Sequence, residues 1–275
     1  MTPLFIDSID HSLFGMYHHA RGTGSMANRA VVLCAPIGQE YVRTYWCLRL
    51  LAGQLARRGI HVLRFDYAGV GDSAGALDEI QSLQVWQDNI KSAIEVLKQR
   101  SAAQSVMLLG LRAGAMLASK AALDSRDVNS MLLWEPIHNG ENYLNELRGL
   151  HAEMLDMWIC KMQTEKSDVA EEILGSRFAK PLIDELSETQ ISWDQHRQPV
   201  FVMDTNNREA TYKSLPVNSL RKVEFTNDEP SWVDLRQLET AWLRPQTTRR
   251  MVDQVMDTFD RLQRVGILEP VAEVV

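Results

Sequence analysis

The stretch Ser105-Val-Met-Leu-Leu-Gly-Leu-Arg-Ala-Gly-Ala-Met-Leu-Ala-Ser119 limits the fold more than any other part of the chain. Its first half is a continuous apolar run, the pattern of a strand buried on both faces. Gly110 and Gly114 then bracket a tight turn, and alanines with Met116 and Leu117 open a small-residue helix. A strand that passes directly into a helix belongs to a parallel sheet covered by helices. Arg112 stands at the tip of the turn.

Other runs repeat the strand signature: Ala30–Ala35, Ile60–Asp66, Asn129–Glu135 and Gln198–Asp204. Between them the apolar spacing is helical. One helix starts near Tyr41 and carries Tyr45, Leu48, Leu51 and Leu55, with Gly59 placed as its C-cap. A second carries Leu83, Trp86, Ile90, Ile94 and Leu97, and a last one after Pro245 carries Val252, Val255, Phe259 and Leu262. This alternation predicts an α/β fold with a doubly wound, mostly parallel sheet. The first 29 residues read as a polar lead-in with an edge strand over Ser12–His18, and Leu220–Phe225 has weaker strand character. From Asn139 to Gln190 no strand run is visible. Tyr143, Leu144, Leu147, Leu150, Met154, Leu155, Trp158, Ile159 and Met162 suit one helix, and Val169–Leu174 with Pro181–Leu186 a second helical piece. The expected organisation is a core of residues 1–138 and 191–275 with a helical lid over 139–190. The lid's Met and Trp side chains either line an apolar pocket or pack on the core.

A net charge of −7 excludes a general nucleic-acid binder, which would carry a basic stripe. No apolar run reaches the length of about 18 residues that a transmembrane helix needs. The start of the chain lacks the basic and apolar regions of a signal peptide. Cys34, Cys47 and Cys160 show no metal-ligand spacing and fit a reducing, cytoplasmic setting. His18 and His19 are adjacent, so in a strand they point to opposite faces; the expectation is exposed histidines at a strand end, with no metal and no cofactor.

Doubly wound sheets act through the loops at the carboxyl ends of their strands. Here those are 36–43, 66–75, 110–115, 135–140 and 204–208. Asp66-Tyr-Ala-Gly-Val-Gly-Asp-Ser73, followed by Gly110-Leu-Arg-Ala-Gly114 and then by an insertion before the next strand, resembles the α/β-hydrolase family over nearly the whole chain. The resemblance makes 110–114 a nucleophile elbow, Gly-x-Ser-x-Gly, with Arg112 where the serine would stand. It implies an oxyanion hole from the Ala113 N–H and one N–H of the loop Ile37-Gly38-Gln39-Glu40. It also implies an acid at Asp204 or Glu135, and a structural Ser73 that closes the loop after Asp66. More narrowly, Cys34–Arg43, Leu63–Asp72 and Leu109–Ala115 resemble the exosortase A system-associated hydrolases of Gram-negative bacteria. That resemblance implies a cytoplasmic bacterial protein near extracellular-polysaccharide assembly and protein sorting.

The family's chain order is nucleophile, acid, histidine. No histidine follows His196, which itself precedes the strand leading to Asp204, so the general base is missing along with the serine. A guanidinium stays protonated and has no lone pair with which to attack a carbonyl. Three readings follow. In the first the protein is non-catalytic and binds a small anionic ligand or a polysaccharide-system protein. The helix N-terminus behind Arg112 favours an anion, and Arg43 adds charge. In the second an ester or thioester is hydrolysed by an unconventional nucleophile, Cys34, with His138 as its base. In the third the protein is a purely structural partner in a polysaccharide-export assembly, its cleft closed by the Arg112 network; Arg112 thus either meets a ligand or sits in an internal ion pair with Glu135, Asp204, Glu40 or Asp66, in a turn that is strained or relaxed.

Overall fold

The computed structural model describes residues 1–21, 29–123, 125–157, 169–192, 195–203, 245–264 and 266. Asp204, the loop after it, Leu220–Phe225 and Cys160 lie outside the described residues.

A hairpin of β1 (Thr2–Ser8) and β2 (His11–His18) opens the chain. The parallel strands follow: β3 (Ala30–Cys34), β4 (His61–Phe65), β5 (Val106–Leu111) and β6 (Val128–Trp134). They alternate with α1 (Gly38–Arg57), α2 (Leu83–Ser101) and α3 (Ala113–Ala122). After β6 come α4 (Gly140–Met157), a small hairpin of β7 (Ala170–Ile173) and β8 (Ser176–Ala179), and α5 (Lys180–Glu188). Strand β9 (Val200–Met203) and helix α6 (Pro245–Arg264) complete the described structure. The main sheet has the order β1-β2-β4-β3-β5-β6-β9, with β2 antiparallel to β4 and the strands from β4 to β9 mutually parallel.

Two apolar layers hold the sheet. On one face α1 and α6 pack Leu48, Leu51, Leu55, Met251, Val255 and Phe259 against Val31, Leu33, Leu109 and Leu132. On the other α2 and α3 bring Trp86, Ile90, Ile94 and Leu117 onto Val32, Leu108 and Leu133. Each such side chain, fully buried, contributes roughly 1.5–3 kcal/mol relative to exposure. Consecutive strand residues serve opposite faces, so β3, β5 and Met131–Trp134 of β6 are apolar throughout. Residues 143–150 of α4 and Phe178, Leu182, Ile183 and Leu186 join this second layer. Of the methionines of α4, Met154 is partly buried against this layer and Met157 is exposed; Trp158 lies outside the described residues.

Three expectations need correction. The lead-in contains a strand, β1, so the strand through Ser12–His18 lies inside the sheet rather than at its edge. Only Leu4 and Ile6 of β1 face the core, which leaves an alternating, weakly apolar sequence. Residues 170–179 form a hairpin where helix was expected. Its two-residue turn, Leu174-Gly175, takes positive φ at both positions (52° and 77°), the geometry that matches the twist of paired strands. Helix α1 begins at Gly38, one turn before Tyr41, while Gly59 sits past its end at φ 83°, as a C-cap glycine does.

Candidate functional site

The elbow is built by β5 running into α3 through one residue. Arg112 holds φ 53° and ψ −121°, a sparsely populated conformation for any side-chain-bearing residue. The turn is therefore strained, and the relaxed alternative does not hold. Its neighbours over-determine it. The Arg112 N–H donates to the Trp134 carbonyl at 3.0 Å, and the Arg112 carbonyl accepts from Ala115 N–H at 3.0 Å. The glycines are required by close approach: a Cβ on Gly114 would stand 2.1 Å from the Ala35 carbonyl oxygen, and one on Gly110 2.4 Å from the Ala115 Cα. The backbone of a nucleophile elbow is intact.

Its side chain is enclosed. Arg112 is 1% exposed, and its Nε donates to Glu40 Oε1 at 2.9 Å while Nη2 donates to Glu146 Oε1. Glu40, in the first turn of α1, is itself buried, and its Oε2 accepts from the Tyr143 hydroxyl at 2.8 Å. The guanidinium carbon lies 5.4 Å from the centre of the Tyr143 ring. Burial works against the arginine's charge, but Glu40 and Glu146, then Tyr143 and Glu135, outweigh it and raise its pKa. Burial likewise pushes the Glu40 carboxyl up, against the pull of Arg112 and Tyr143. Of the expected partners among the described residues, Glu40 accepts directly from Arg112, and Asp204 lies outside them. Glu135, strained at φ 43° and buried at the end of β6, acts on Arg112 electrostatically. Glu146 and Tyr143 come from α4 and were not foreseen. Their spacing of three residues beside the buried Leu147 was the available signal, since it puts a carboxylate on an apolar helix face.

The mostly parallel sheet agrees with sequence comparison. The family model described as serine aminopeptidase, S33 matches residues 27–265. The chain belongs to this α/β-hydrolase family. Solved structures with the same fold include Est1E from Butyrivibrio proteoclasticus with ferulic acid bound (TM-score 0.62, 13% identity, covering 94% of this chain and 98% of that one). A proline iminopeptidase from Mycobacterium smegmatis gives a TM-score of 0.58 at 14% identity, over 93% of this chain and 98% of its own. Mouse alpha/beta hydrolase domain-containing protein 10 gives 0.60 at 14% identity, over 95% and 100%. At such identities the likeness establishes the fold and leaves the site to be argued from its own residues. No curated protein sequence matches the chain.

The remaining site residues of this S33-family chain divide between loop closure and covering. Asp66 is not at the tip: its Oδ1 accepts from the Tyr41 hydroxyl at 2.7 Å and its Oδ2 from the Asp72 N–H at 3.1 Å. Ser73 closes that loop, donating to the Asp66 carbonyl at 2.6 Å and accepting from the Phe14 N–H at 2.8 Å. The implied oxyanion residues Ala113 and Ile37 are buried. Gly38 takes φ 57°, and Phe178 of β8 lies over it, its ring 3.0 Å from where a Cβ would be. Arg43 is turned to its own helix: with the Gln39 amide oxygen facing it, Nε and Nη2 donate at 3.2 and 3.0 Å.

Cys34 ends β3 at 1% exposure and meets the Tyr67 hydroxyl; burial pushes its thiol up to about 12. No hydrogen bond joins it to His138 among the described residues. His196 bonds Ser119 Oγ at 2.7 Å, about 10 Å along α3 from the tip. His18 also departs from expectation. It is buried, accepts from Arg64 Nε at 3.3 Å, and is lowered to about 4 by burial first and by Arg64, Arg49 and Arg21 among the charges around it.

Proposed function

We propose that this chain is a non-catalytic member of its hydrolase family that acts by binding a partner protein, with the elbow site closed by an internal ion network. The carrying observation is that Arg112, at the nucleophile's position, is buried between Glu40 and Glu146. Its donors and its charge are already engaged, and an incoming anion would face the carboxylates of Glu40, Glu146 and Glu135. This argues for the internal network over a small anionic ligand at Ala113 and the 37–40 loop. Helix α4 and the β7–β8 hairpin then work as a fixed cap. Tyr143 and Glu146 pin α4 to the tip, and Phe178 covers Gly38.

The resemblance of residues 34–43, 63–72 and 109–115 to exosortase A system-associated hydrolases supports a partner from bacterial polysaccharide assembly and a cytoplasmic setting. The alternative is ester or thioester hydrolysis by Cys34. It meets a chemical obstacle: burial pushes the Cys34 thiol up and keeps it protonated near neutral pH, whereas the thiolate is the nucleophile.

The test treats the native protein with a fluorophosphonate probe and a cysteine alkylator, and assays it on short acyl esters and thioesters. No labelling at the elbow and no turnover is the expected result. Turnover that disappears in Cys34→Ala and persists in Arg112→Lys would establish the alternative instead.

A further inference from the structure

The end of the sheet away from the elbow, beside the start of β4, carries a second site with the reverse electrostatics. A cavity of about 230 Å³ opens there between the end of β2 and the last turns of α1. Arg21, Arg49 and Arg57 line it together with His18, His19 and Leu50, and no carboxylate does. None of the three arginines has a salt-bridge partner among the described residues. Three guanidiniums thus line one cavity without a carboxylate, in a chain whose net charge is −7.

The residues that shape the cavity are held in place. The Arg21 N–H donates to the Ala56 carbonyl at 2.7 Å, fixing the exit of β2 against the end of α1. Arg49 lies over the Trp46 ring at 4.9 Å, which limits its rotamers. Gly53 supplies the concavity. In place of a side chain there is open space, bounded within 4 Å by Arg57 Nη1 at 4.0 Å. Behind the wall, Arg64 donates to His18 Nε2 and sits 4.9 Å from the Tyr45 ring, adding another positive charge.

Guanidinium forks match phosphate oxygens in pairs, and several converging on one cavity select a ligand with several anionic oxygens over a single carboxylate. Leu50, 42% exposed, offers an apolar wall for an organic group attached to it. We infer that this cavity is a binding site for a diphosphate-bearing molecule, held by Arg21, Arg49 and Arg57 and independent of the elbow. The diphosphate belongs either to a free soluble ester or to a lipid headgroup, and the two sources are separable by experiment.

Calorimetric titration of the full chain with inorganic pyrophosphate tests the inference, alongside a nucleoside diphosphate and sedimentation with phosphatidylcholine vesicles containing a diphosphate lipid. Saturable pyrophosphate binding is expected, weakened about tenfold or more in Arg49→Ala and in Arg57→Ala, the loss of one charge-assisted contact each. Arg126→Ala, at a separate surface cavity, should leave it unchanged. Nucleoside diphosphate binding tighter than pyrophosphate assigns the free ester; vesicle binding without it assigns the headgroup. Because Arg49 and Arg57 lie at the surface, unchanged melting of both variants without ligand checks that they fold. The inference is overturned if neither pyrophosphate nor the vesicles bind, or if binding survives both substitutions.

Discussion

Helix α1 has arginine chemistry at both ends, used in opposite ways. At its first turn Glu40 receives Arg112, and both are 1% exposed. About 25 Å further along the axis, Arg57 and the nearby Arg49 face an open cavity with no carboxylate. A buried guanidinium must be matched by acceptors, because removing it from water without them costs several kcal/mol. At the elbow Glu40 of α1 and Glu146 of α4 supply acceptors for it. At the far end water does the solvating, so the charges remain available to a ligand. The same residue type is therefore architecture at one end of the sheet and a candidate receptor at the other, and burial decides which.

The contrast can be broken most sharply at the elbow. Arg112→Ala should cost about 3–5 kcal/mol in urea unfolding, because it strands the Glu40 charge in the core. A loss below about 1 kcal/mol would mean the network is dispensable and the site open. Histidine 18, buried beside the cavity, gives a subtler separation. Its folded pKa of about 4 lies below the ordinary 6.5, so between those values the unfolded chain binds the extra proton. Its contribution is therefore present above pH about 6.5 and lost as pH falls towards about 4. Thermal unfolding of His18→Gln across that window should fall less steeply than that of the parent chain. The smallest effect is expected at the cavity arginines. Without ligand, Arg49→Ala and Arg57→Ala should shift stability by no more than about 0.5 kcal/mol. A loss as large as that of Arg112→Ala would make them structural and erase the comparison.

Much of the fold could be read from periodicity. The runs Ala30–Ala35 and Met131–Trp134 are apolar at every position because both sheet faces are covered, and such runs resist misreading. The β1 strand escaped because it is an edge strand with two buried side chains. The β7–β8 hairpin escaped because its strands have four residues each and its turn uses Leu174 at positive φ, a position where glycine or asparagine would have signalled. At the site, Glu40 was among several acids at neighbouring strand ends. Nothing local distinguished it from Asp66, whose oxygens turned out to be committed to Tyr41 and Asp72.

The sequence by itself determined the parallel sheet, the strand-turn-helix at 105–119 and the absence of both serine and a following histidine, because each is written in local pattern or residue identity. Only the tertiary structure decided that Arg112 keeps the strained elbow geometry and is closed off by Glu40 and Glu146. It alone gathered Arg21, Arg49 and Arg57 around one cavity and buried His18. Charge pairing and solvation depend on which distant segments meet: Glu40 and Tyr143 are 103 positions apart and still share a hydrogen bond. Periodicity fixes which face of an element is buried, and the packing of those faces then chooses the partners.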